Sequence, residues 1–117
     1  MNGLFHKKIG LPANYRHPMA VVPVRWTFHA IKAANSDRYG NVQITDRIDL
    51  TKFETVEVEI VAGRIAKILV RGAYSDNLDV TYALIPQFGK EWIVKTTWLN
   101  WWNDDHRLIS HSKYIGG

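Results

Sequence analysis

Four alternating segments constrain this chain more than anything else in it. From about Glu54 the sequence reads TVEVEIV, RIAKILVRGAYS, LDVTYALI and EWIVKTTWLN, with only AGR, DN and PQFGK-type breaks between them. Apolar and polar residues exchange places at every step, the period of a strand with one face packed and one wet. The connections are too short for a crossover helix, so neighbouring strands must run antiparallel as a meander.

The alternation assigns two faces. One carries Val56, Val58, Ile60, Ala66, Ile68, Val70, Leu78, Val80, Tyr82, Leu84, Trp92, Val94, Thr96 and Trp98, and reads as the core face. The other carries Glu57, Glu59, Lys67, Arg71, Asp79, Thr81, Lys95 and Thr97, interrupted by Ile65, Leu69, Ile93 and Leu99. Such a polar face is a solvated surface or the floor of a cleft.

Ahead of the strands, WTFHAIKAANSDRYG reads as one helix, with Thr27 as N-cap and Gly40 at the stop. Phe28, Ile31 and Ala34 fall on its apolar side, and His29, Lys32 and Ser36 point away. Residues 1–24 hold Pro12, Pro18 and Pro23 without clear periodicity and read as an extended arm. The expected fold class is α+β: an N-terminal extended basic arm over 1–24, then a single domain over 25–117 with one helix packed on a four-stranded antiparallel meander sheet.

Charge is unevenly spread. The formal net charge is +4, and Lys7, Lys8, Arg16, Arg25 and Lys32 all precede the first acid, Asp37. A basic arm of this kind fits contact with a phosphate backbone or simple solvation. The chain has no cysteine, which excludes disulfide and thiolate chemistry. No apolar run reaches membrane-spanning length, and no signal-like core opens the sequence, so a cytoplasmic location, or a virion for a phage-encoded chain, is expected. No glycine-rich run has phosphate-cradle spacing. Asp104, Asp105, His106 and His111 do not complete a metal-ligand set, so no metal and no cofactor are expected.

The succession FHAIKAANSDRYG, KILVR, VKTTWLN and DDHRLISHSKY resembles a small domain of bacterial and phage proteins, and with it the helix-plus-meander folds of barnase-like, colicin-type and RelE-type ribonucleases. The resemblance covers roughly residues 26–114 and leaves the arm outside. It picks out His29, Asp37, Arg38, Tyr39, Lys67, Arg71, Lys95, Thr97, Asn100, Asp104, His106 and Tyr114. It implies metal-independent phosphodiester transesterification, with His106 as general acid or base and His29 as its partner. Arg71, Lys95 and Lys67 would hold the phosphate, and Thr97, Asn100 and Tyr114 would bind substrate. The chain departs from the pattern after the histidine, where Leu108, Ile109 and Ser110 stand in place of threonine, leucine and aspartate.

Trp92, Trp98, Trp101 and Trp102 are four of the five tryptophans. Trp101 and Trp102 are consecutive and cannot easily share one core, so one of them is free to stack on a base or to anchor a protein. Two functions therefore stand side by side: an RNA-cleaving or RNA-binding domain, and an inactive virion or assembly protein. The second would make protein or homo-oligomer contacts through the arm and Trp101/Trp102.

Overall fold

The computed structural model describes residues 7–104. Its strands are β1 (Lys7–Gly10), β2 (Val21–Trp26), β3 (Arg47–Asp49), β4 (Glu54–Val61), β5 (Arg64–Ala73), β6 (Leu78–Ile85) and β7 (Trp92–Trp101). Among the described residues the one α-helix, α1, spans Phe28–Ala34, and a 3₁₀ turn covers Leu50–Lys52. All seven strands join one sheet in the order β1-β4-β5-β6-β7-β2-β3. Only β2 and β7 are parallel; the other pairs are antiparallel.

The meander of β4 to β7 is present, but the expectation of a four-stranded sheet preceded by an extended arm is overturned. The supposed arm supplies β1 on one edge of the sheet and β2 near the other. β1 shows no burial alternation, because all four of its residues are exposed on an edge. β2 is masked in the sequence by Pro23, which sits where the ladder hands over. Val21–Pro23 pair with β3 and Val24–Trp26 with β7, so the missing N–H interrupts no central ladder.

Between β1 and β2 the chain crosses the first face of the sheet. A polar chain pins this crossing: His17 Nε2 donates to the Leu50 carbonyl at 2.7 Å. With that tautomer, His17 Nδ1 accepts from Thr55 Oγ1 at 2.7 Å, and Tyr15 Oη lies 3.1 Å from the same hydroxyl.

Helix α1 begins as its sequence predicts. Thr27 Oγ1 accepts from Ala30 N at 3.0 Å, satisfying one orphan donor of the first turn. Its buried side, however, is Ala30 and Ala34, while Phe28 is 84% exposed. Small side chains let the helix lie close against β7, which a Phe28-facing helix could not do.

The first face holds the main core, from Val22 and Val24 across Val58, Ile68, Val70, Val80, Tyr82 and Leu84 to Val94 and Leu99. Gly72 sits under the 3₁₀ turn. A Cβ there would come within 2.7 Å of the Lys52 carbonyl and 2.8 Å of the Phe53 ring, so the close approach requires glycine. The β4–β5 hairpin turns through Ala62 (φ 53) and Gly63 (φ 78), two left-handed residues that match the twist of the strands they join.

Strict alternation fails at three places. Val56, Ala66 and Lys95 each lack a cross-strand partner where the register slips by one. Each such bulge reverses which face the following residues serve. Beyond Lys95, Thr97 and Leu99 therefore align with Tyr82 and Val80 on the core face. Thr96 and Trp98, expected in the core, fall on the other side with Ala83 and Thr81. Val56 likewise packs with Leu69, Ala83 and Trp98 in a second, smaller cluster.

Candidate functional site

The second face carries the chemistry. Register places Glu57 beside Leu69, Glu59 beside Lys67, Arg71 beside Thr81, Thr81 beside Trp98, and Asp79 beside Asn100. Glu57, Lys67, Arg71, Thr81, Thr96 and Asn100 are all buried, unusual for a polar sheet face. Among the described residues, α1, the 3₁₀ turn and the 11–20 crossing all pack on the first face.

Arg71 commits its Nε and one terminal amino group within the protein. Its Nε donates to Asp79 Oδ2 at 2.9 Å, and one terminal amino group reaches the Trp101 carbonyl at 3.0 Å and the Trp102 carbonyl at 3.4 Å. It therefore ties β5 to β6 and to the turn that ends β7. Glu59 lies between two lysines, with Lys7 Nζ at 2.9 Å and Lys67 Nζ at 3.4 Å.

Lys67 and Lys95 converge across β6, where Ala83 occupies the same face. Burial is the main cause that holds the Lys67 ammonium below its ordinary value. The positive charge of Lys95 acts in the same direction, and Glu59 only partly offsets both. Ordinary alternation from Val94 brings Lys95 to this face, and the bulge at Lys95 then keeps Thr96 and Trp98 on it as well.

Trp98 and Asn100 complete the face. Asn100 is 0% exposed and Trp98 3%. The indole Nε1 of Trp98 and both amide atoms of Asn100 have no hydrogen-bond partner. Native interiors rarely tolerate such atoms without a reason, because each costs the desolvation of an unpaired group.

Of the residues singled out from sequence, Lys67, Arg71, Lys95 and Asn100 share this face. His29 is exposed on α1, across the sheet from them. Thr97 turns to the core side and donates to the Thr81 carbonyl at 2.9 Å. Trp101 is half-exposed and meets Tyr39 edge-on at 6.0 Å. Asp37 is not at the face either: it accepts from Leu99 N at 3.1 Å and Tyr39 N at 3.1 Å, covering part of the β7 edge that lies beyond the reach of β2. Arg38 stacks over Tyr39 at 4.8 Å. His106 and Tyr114 lie outside the described residues, as do Leu108, Ile109 and Ser110.

Sequence reading missed Trp98 as a member of this face, because the Lys95 bulge that moves it leaves no mark in the local pattern. It also missed the link from Lys7 through Glu59 to Lys67, which needs β1 docked on β4.

Among the described residues there is no cluster of three or more histidine or carboxylate groups able to hold a metal ion. Among them, too, no helix is long and apolar enough to cross a membrane. Searches against protein-family models, curated proteins and solved structures find no match for this chain.

Proposed function

We propose that this chain is an RNA-binding domain with metal-independent ribonuclease chemistry of the barnase/RelE type, and that the second face of the sheet is its substrate surface. The observation that carries this reading is the convergence of Lys67 and Lys95 on that face, with Lys67 buried. Two ammonium groups brought together and partly desolvated repel each other, and a phosphate between them relieves the repulsion. A depressed lysine value also moves Lys67 in the direction that a general base near neutral pH requires. Arg71, held by Asp79 and two carbonyls, positions the surrounding strands rather than clamping phosphate directly. His106 is the acid or base supplied by the family resemblance.

The test is incubation of the purified protein with structured RNA in EDTA, beside His106→Ala and Lys67→Ala. Cleavage that survives chelation and falls in both variants is the expected result. Equal inactivity of all three, with no RNA binding at low salt, overturns the reading.

A second reading, an inactive virion or assembly protein, draws on one observation: Trp102 is 61% exposed and Trp101 44%. Exposed indoles of this kind anchor protein interfaces. Native mass spectrometry of the chain, alone and with Trp102→Ser, separates the two: an assembly lost in the variant favours the second.

A further inference from the structure

Three unpartnered atoms stand on one face at alternate positions of one strand. Trp98 Nε1 and Asn100 Nδ2 are donors, and Asn100 Oδ1 is an acceptor. The two residues are successive second-face positions on β7, roughly 7 Å apart along the strand. Lys95 lies on the same face toward the start of that strand, with Lys67 across β6.

We infer that Asn100 and Trp98 form a base-reading position for a pyrimidine nucleotide of single-stranded RNA. This rests on the RNA-binding reading above. The unsatisfied set, two donors and one acceptor, calls for a ligand edge with two acceptors and one donor. The pairing edges of uracil (O4, N3–H, O2) and cytosine (N4–H, N3, O2) both supply that set. The pairing edge of adenine lacks the second acceptor, and that of guanine carries one acceptor and two donors. Single-stranded RNA is read on these edges, by bases splayed out of the stack. Lys95 lies about 16 Å along β7 from Asn100, so a short single strand with a base at Asn100 would bring a neighbouring phosphate toward Lys95 and Lys67.

Asn100 has no solvent contact, and the next residues, Trp101 and Trp102, carry exposed indoles on a turn whose carbonyls Arg71 holds. This turn adjoins Asn100 in sequence, so tryptophan fluorescence is a natural reporter of a base bound there.

The test is a titration of the protein with labelled short homo-oligomers of U, C and A at fixed salt. It is run on the wild type, Asn100→Leu and Trp98→Phe. The second variant removes the N–H while keeping an aromatic ring in the small cluster of Leu69 and Ala83, so it serves if the first fails to fold. The wild type is expected to bind U and C oligomers roughly tenfold or more tighter than A oligomers. Both variants are expected to lose most of that preference while keeping salt-dependent binding. A wild type without preference, or preferring A, overturns the inference but not RNA binding. Retention of the preference in both variants overturns the assignment to these residues. A wild type that binds no oligomer at any salt overturns the RNA reading and this inference together.

Discussion

Arg71 and Asp79 lock together at 2.9 Å on the second face, and the guanidinium that makes this pair also holds the carbonyls of Trp101 and Trp102. The Arg71 side chain is 8% exposed and the Asp79 side chain 21%. The pair is therefore a partly desolvated junction of three strand ends. Truncating one partner strands the other: Arg71→Met is expected to cost about 2–3 kcal/mol in urea unfolding. Arg71→Met combined with Asp79→Leu should recover much of that loss, because no charge then remains buried. A double variant no better than the single one would count against the pair as the cause.

Lys67 and Lys95 should each contribute one phosphate contact. Replacing either with alanine is expected to weaken RNA binding and to reduce the slope of log affinity against log salt by about one. Fluorescence anisotropy over a salt series measures this. Arg16→Ala serves as a comparison, since Arg16 is exposed on the crossing over the first face.

Ala62 holds φ 53 at the first position of the β4–β5 turn, where an L side chain with a Cβ is strained. Asparagine tolerates that conformation and pairs naturally with the following Gly63. Ala62→Asn is expected to stabilise the protein by about 0.5 kcal/mol or more, read as a higher urea midpoint with unchanged slope.

Tyr82 is expected to dominate the alkaline limb. Burial, with a smaller contribution from Tyr74, pushes its phenol up to about 12 from an ordinary 10.0. The folded chain keeps a proton that the unfolded chain releases, so stability is full below about 10 and falls as pH climbs toward about 12. Lys67 acts in the opposite sense: its lowered value makes stability rise between that value and 10.5. Comparing Tyr82→Phe with wild type isolates the tyrosine: the fall in urea midpoint between about pH 9 and about pH 11 should disappear in the variant.

Much of the candidate site was legible in the sequence. The alternation of RIAKILVRGAYS and EWIVKTTWLN puts Lys67, Arg71 and Lys95 together, and they do share a face. The Thr27 cap and the turn at Gly63 were legible for the same reason: each is a local conformational demand that a single residue type meets. The helix face was not, because Phe28 and Ala30 compete for the core and only the closeness of β7 favours alanine.

Local pattern by itself determined β4 to β7, their antiparallel order and the polarity of most of their residues. Tertiary structure alone decided the rest. β1 and β2 became strands because the edges of the meander offered them hydrogen bonds, a demand not written in residues 7–26. The bulge at Lys95 decided that Trp98 leaves the core face and Leu99 enters it. A period of two carries no record of where it slips. The slip is set by how neighbouring strands twist and pair, and it places an unpaired Asn100 beside the indole N–H of Trp98.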